Sequence, residues 1–157
     1  MSKQKEVLGA FFKVQIDNNY HTYGRIIANY VYAFYDFKTN KEESDLLKIE
    51  KSKIIFKIFV NHKAIASGAW KIVGVSELSS ELEQTVPFFI QEIGDIRCCW
   101  IDLNGNRTKV VVEDCIGLER LAIWDQVHVE KRLFDYYNGI QNEYLQGLRL
   151  RIPKNKF

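Results

Sequence analysis

The sequence predicts a mainly β domain of the α+β class: a strongly bent antiparallel sheet or half-open barrel with a C-terminal amphipathic helix. Three observations predict it. The stretch YVYAFYDF, residues 30–37, holds five aromatic rings in eight positions. In an extended chain Tyr30, Tyr32 and Phe34 point one way, and Val31, Ala33, Tyr35 and Phe37 the other. Both faces are then apolar, as in a strand covered on both sides. Next, Asn104-Gly105 sits between the apolar runs of IRCCWIDLNGNRTKVVV, the strongest short-range hairpin signal. Helical periodicity, finally, appears late: in WDQVHVEKRLFDYYNG, Val129, Leu133 and Tyr136 or Tyr137 share one helical face.

The elements follow in order. VLGAFFKVQI reads as a first strand and DNNY as a turn, since Asn and Asp tolerate turn backbones. HTYGRIIANYVYAFYDF continues as one bent strand or two short ones, with Gly24 a bulge or a point of close approach. KTNKEESD is a polar loop and KIIFKIFV a strand. NHKAIASG is a short helical turn, with Asn61 as its cap and Gly68 as its stop. AWKIVGV and PFFIQEI are further strands on either side of an acidic stretch. In the late helix, Asp125 holds the cap position and Gly139 lies just past the end. NEYLQGLRL adds a weaker helix, limited by Gly147. With about seven strands and few crossover helices, the 157 residues make a single domain with a basic tail at about 149–157.

Composition excludes several classes. At 46% hydrophobic and 27% charged, the chain is an ordinary globular protein. No apolar run approaches the roughly 20 residues that span a bilayer, and MSKQKEV has no signal-peptide character. A cytoplasmic location is therefore expected. The three cysteines, two of them the adjacent Cys98 and Cys99, form neither a disulfide framework nor a zinc spacing. On a strand these two point to opposite faces, so buried thiols or one exposed thiol is the expectation.

Charge is more informative locally. The net +2 includes Arg149, Arg151, Lys154 and Lys156 in the tail, and the remainder carries 18 basic against 20 acidic residues. Residues 76–95 contain Glu77, Glu81, Glu83, Glu92 and Asp95 without a single Lys or Arg. Such a stretch is either a solvated surface or a face that attracts a basic partner. A nucleic-acid binder needs the reverse, a clustered basic stripe.

Catalytic chemistry finds little support. A metal-free nuclease requires converging histidines with a supporting cation such as Lys63, and the spacing of His21, His62 and His128 gives no sign of convergence. Phosphate-cradling glycine loops, nucleophile elbows and zinc motifs are missing from the sequence, so neither an enzyme nor a cofactor is expected. A nucleic-acid-binding module using the basic tail and exposed aromatic residues, and a small nuclease, stand as the alternatives.

A series of stretches, in order, carries a family resemblance: FFKVQIDNNYHTYGRII, AFYDF, IIFKIFVNHKAIASGAWKIVG, PFFIQE and GLERLAIWDQVHVEKRL, spanning Phe11 to Leu133. On these the chain resembles the immunity protein 26 family, found beside toxin genes in bacterial polymorphic toxin and contact-dependent growth inhibition systems. It departs at the opening, where LGAFFKVQI stands in place of a Gly-Asp pair and a Pro-containing strand. The resemblance implies a cytosolic antitoxin, without catalytic residues, that binds and blocks one cognate toxin domain. That partner is expected to be a nuclease forming the C-terminal domain of a large exported protein; neither a membrane nor nucleic acid is an expected direct partner. Nuclease clefts are basic because they bind phosphates, so Glu77, Glu81, Glu83, Glu92 and Asp95 become candidate toxin-binding residues. If immunity comes instead from covering a site beside the cleft, shape and aromatic anchors dominate, and exposed tyrosines at Tyr20, Tyr23 or Tyr35 are the candidate anchors.

Overall fold

The aromatic-rich stretches become the central strands of a sheet covered on both faces. The computed structural model describes residues 2–154. Its first elements are β1 (Ala10–Gln15), β2 (His21–Ala28), β3 (Val31–Tyr35), α1 (Leu46–Glu50), β4 (Ile54–Val60), α2 (Lys63–Ala66) and β5 (Ile72–Val75). There follow β6 (Phe88–Gln91), β7 (Cys99–Leu103), β8 (Asn106–Val110), a 3-10 turn (Val112–Cys115), β9 (Glu119–Arg120), β10 (Ile123–Trp124), α3 (Gln126–Asn138) and α4 (Glu143–Leu148). The described residues form two compact units, one running to Gln84 and including Ile123–Asn142, the other comprising Thr85–Ala122 and the segment from Glu143. The first holds a six-stranded sheet in the order β10-β4-β3-β2-β1-β5, the second a four-stranded sheet in the order β8-β7-β6-β9. Both are antiparallel apart from the two-residue strands β10 and β9, which run parallel to β4 and β6. The fold is mainly β as expected, and the sheets remain open rather than closing into a barrel.

In the first unit, HTYGRIIANYVYAFYDF forms two strands, not one bent one, and every residue of β3 is buried. The turn between them puts Tyr30 at φ 63, a left-handed conformation uncommon for a bulky side chain. The Glu6 carboxylate holds it there, accepting from the Tyr30 N–H at 3.0 Å and from the Tyr32 hydroxyl at 2.6 Å. On one sheet face Phe12, Tyr32, Phe34, Phe56 and Trp70 interlock: Phe12 stacks on Trp70 at 5.3 Å and Phe34 on Phe56 at 4.9 Å. Gly24 is the expected point of close approach, because a Cβ there would lie 2.4 Å from the Phe12 ring. The register shift of β2 falls further on, between Ile26 and Ala28.

Helix α3 lies over this same face. Val129 and Leu133 are fully buried, the Trp70 indole N–H donates to Glu130 at 3.0 Å, and the Arg132 guanidinium sits 3.7 Å above the Phe56 ring. Tyr137 completes the apolar stripe and Tyr136 faces outward: the Tyr137 hydroxyl donates to the Tyr35 carbonyl at 3.0 Å and accepts from the Phe37 N–H. The opposite sheet face packs Phe11, Tyr23 and Tyr35 against Ile49 of α1. That helix follows the segment expected to be a loop. Asp45 caps it, accepting from the Leu47 N–H at 3.1 Å.

Two caps behave differently from each other. At α2 the cap position falls to His62, which makes no side-chain cap bond, while Asn61, expected as the cap, lies one residue earlier and its Oδ1 accepts from the Lys63 N–H at 3.1 Å. Asp125 occupies the cap position of α3, but its carboxylate makes no bond to the helix backbone. It accepts instead from Asn61 Nδ2 at 3.2 Å, which corrects the expectation of a side-chain cap. In the second unit the Asn104-Gly105 hairpin forms as expected, with φ of 52 and 90 and with Leu103 paired to Asn106.

Phe34 is fully buried against the rings of Phe12, Phe56 and Trp70, so Phe34→Ala should destabilise the protein by about 3–5 kcal/mol in a denaturant melt. Asp125→Ala should cost only about 0.3–1 kcal/mol, through the helix dipole. A double-mutant cycle should also couple it to Asn61→Ala, whereas a true cap would show no such coupling.

Candidate functional site

The five carboxylates of residues 76–95 divide between the two units. Glu77, Glu81 and Glu83 belong to the first; Glu92 and Asp95 belong to the second. All five side chains are exposed, and among the described residues none of them forms an ion pair with a Lys or Arg. The segment carrying the first three is neither helix nor strand. It leaves β5 with Ser76 N–H donating to the Gly9 carbonyl at 3.2 Å, then closes on itself through Glu83 N–H to Ser79 O at 3.1 Å. Leu78, only 8% exposed, tacks it down.

Its main anchor is Arg25, which the sequence reading did not single out. The guanidinium is completely buried and lies 4.3 Å over the Phe11 ring. Nη2 donates to the carbonyls of Ser76 at 2.9 Å and Glu77 at 3.2 Å, and Nε points to the Gly9 carbonyl at 3.4 Å. Nη1 lies 3.5 Å from Glu50 Oε1, an ion pair too long for a good hydrogen bond. Arg25 therefore grips the backbone of the acidic segment, while its charge is answered by Glu50 and the Glu77 carboxylate stays in solvent.

In the second unit, Asp95 Oδ1 accepts from the Arg97 N–H at 3.2 Å, shaping a turn. Between Glu92 and Asp95 lies Ile93, 91% exposed. The run PFFIQEI, expected to be strand throughout, ends as strand at Gln91, with one further backbone bond from the Glu92 N–H to the Cys98 carbonyl at 3.0 Å, and this leaves Ile93 as an apolar tip flanked by acid. Its only sequence signal was apolar character beyond the strand's end.

The tyrosine candidates separate. Tyr20 is 36% exposed, with the Lys38 ammonium 4.4 Å over its ring. Tyr23 and Tyr35 are core residues at 0% and 1% exposure, a correction to their choice as exposed anchors. Tyr23 is fixed by His21 Nε2 at 3.0 Å and by the Glu43 N–H at 3.1 Å; Tyr35 stacks on Phe11. Burial pushes both hydroxyls up from the ordinary tyrosine value. The exposed rings of this unit are Tyr20, Tyr30 and Tyr136.

His21 is buried against Tyr23, and burial lowers its imidazole pKa below the ordinary 6.5. His62 packs on the Tyr30 ring, and His128 lies in the first turn of α3. Cys99 and Cys115 sit in the core of the second unit with Phe89 and Val112; burial pushes the Cys115 thiol up to about 11, which leaves it unreactive. Among the described residues no cluster of His, Cys, Asp or Glu could hold a metal, and no helix is long and apolar enough to cross a membrane. The basic tail is partly tied down. Arg120 donates to the Leu148 carbonyl at 2.9 Å and to the Arg149 carbonyl, while Gln91 brackets Arg151. Lys156 lies outside the described residues.

The exposed side chains of note are thus the five carboxylates, Ile93 and four tyrosines, Tyr20, Tyr30, Tyr136 and Tyr144. The chain belongs to the immunity protein 26 family, whose model matches residues 7–100, more than half of its length and the whole of the acidic stretch. The quoted resemblance ran on to Leu133, beyond the matched residues. None of the curated proteins and none of the solved structures matches the chain. Membership implies an immunity role and a toxin as partner; proteins of such families are generally not enzymes.

Arg25→Met leaves Glu50 and three carbonyls without their donor. It should destabilise by about 3–5 kcal/mol. Amide exchange at residues 76–83 should speed up more than at β6 and β7, and uniform acceleration in both units would contradict the anchoring role.

Proposed function

We propose that this chain is a cytoplasmic antitoxin that neutralises one cognate toxin domain by stoichiometric contact, within a contact-dependent growth inhibition or polymorphic toxin system. The toxin is a nuclease acting on RNA or DNA, carried as the C-terminal domain of a large exported protein. One observation carries the electrostatic part of this reading: five exposed carboxylates within residues 76–95, without a basic partner among the described residues, in the region that the family model matches. A nuclease cleft is basic because it holds phosphates. Glu77, Glu81 and Glu83 in the first unit, and Glu92 and Asp95 in the second, are two sets of carboxylates, each able to offer such a cleft negative charge in place of the substrate backbone. Ile93 supplies an apolar contact between the second unit's two carboxylates, and in the first unit Tyr20 with its Lys38 partner is an aromatic anchor of the kind that dominates interface energetics.

The mechanism is occupation rather than chemistry. Solvated rim carboxylates act mainly on the association rate, whereas a carboxylate buried against a toxin Lys or Arg acts on dissociation and costs about 2–5 kcal/mol when truncated.

The test is binding kinetics with the purified C-terminal domain of the exported protein encoded beside this chain. A variant with all five carboxylates changed to Asn or Gln should associate about 10- to 100-fold more slowly at low salt. That gap should close toward 0.5 M salt, where the screening length falls to about 4 Å. Equal rates for both proteins at every salt concentration would remove the acidic face from the interface.

A further inference from the structure

The four-stranded sheet of the second unit ends at β8, and this edge is open. The hairpin register pairs Leu103 with Asn106, Asp102 with Arg107, Ile101 with Thr108, Trp100 with Lys109 and Cys99 with Val110. A two-residue turn makes its closing pair a hydrogen-bonded one, and pairs alternate from there along an antiparallel ladder. Asn106, Thr108 and Val110 therefore direct their backbone groups to β7. Arg107 and Lys109 direct their N–H and C=O groups away from it, and among the described residues no backbone partner meets them.

Four of the five residues of β8 are exposed. At its far end an open groove of about 780 Å³ is lined by Arg97, Lys109, Val110–Val112, Glu113 and Asp114, with Val111 52% exposed. Charge then decides what can pair there. A second copy of this chain, added antiparallel about Thr108, would set Arg107 directly opposite Lys109 twice over, and like charges facing across a ladder repel. Arg107 is partly answered by Asp102, at 3.1 Å. Lys109 has no carboxylate partner among the described residues.

We propose that β8 is a docking edge for an extended segment of the toxin domain, one that alternates acidic residues facing Arg107 and Lys109 with apolar residues directed to the Val110–Val112 groove. The added strand satisfies the outward backbone groups, and side-chain alternation gives specificity. This rests on the immunity reading above and names a second contact, independent of the acidic stretch.

The experiment is amide exchange followed by NMR on the full-length protein, free and with the same purified toxin domain. In the free protein the N–H groups of Arg107 and Lys109 should exchange fast, while those of Thr108 and Val110 are protected. On complex formation Arg107 and Lys109 should slow by about tenfold or more. Lys109→Glu, at an exposed site that keeps the strand intact, should weaken binding about tenfold at low salt. Lys109→Pro removes an outward N–H without touching the ladder to β7, and if it folds by its thermal melt it should weaken binding similarly. A complex that forms with unchanged exchange at Arg107 and Lys109 overturns the docking edge and leaves the immunity reading standing. Failure of the wild-type protein to bind this toxin domain overturns both.

Discussion

Close packing at Gly24 sets the geometry of the first unit. The Phe12 ring occupies the space where any side chain at residue 24 would begin, and from there it reaches Trp70, Tyr32 and Phe34 at 5.3 to 5.7 Å. Interiors packed this densely tolerate little change in shape. A β-carbon at Gly24 would push Phe12 off Trp70, and Trp70 is one of the residues that hydrogen-bond to α3. The next residue of β2, Arg25, points to the other face and meets Phe11, Glu50 and the first carbonyls of the acidic segment. One dipeptide thus governs both faces of the sheet.

A buried guanidinium is costly to desolvate and is tolerated where its donors and charge are met. Arg25 meets that condition mainly with backbone carbonyls, so it imposes a path on the chain while leaving the acidic side chains outside. The acidic segment can be irregular in secondary structure and still be held in place. The charges above it are thus held in solvent on a backbone that is already ordered.

Much of the architecture was legible in particular residues. Alternation in residues 30–37 identified a strand buried on both faces, Asn104-Gly105 identified the hairpin, and Val129 with Leu133 identified the buried stripe of α3. The errors share a cause. Asp125 has a capping side chain at a capping position, yet Asn61, 64 residues earlier, lies within reach of its carboxylate; no local pattern encodes that competition. Tyr23 and Tyr35 are amphipathic rings whose type fits core and surface equally, and only their packing against Ile49 places them inside.

By itself the sequence determined the central aromatic strands, the Asn104-Gly105 hairpin, the helix after Asp125 and where the carboxylates cluster, while α1 and the short strands β9 and β10 carried no local signal of that kind. The features it determined depend on side-chain periodicity and turn chemistry acting over a few residues, and the chain carries that information locally. Tertiary structure decided which tyrosines reach solvent, that Arg25 is buried and grips the acidic segment, that Ile93 projects beyond a strand, and that β8 is left at an edge. Each of these depends on contacts between residues far apart in the chain, set by how the strands order themselves within a sheet, and no local pattern specifies that order.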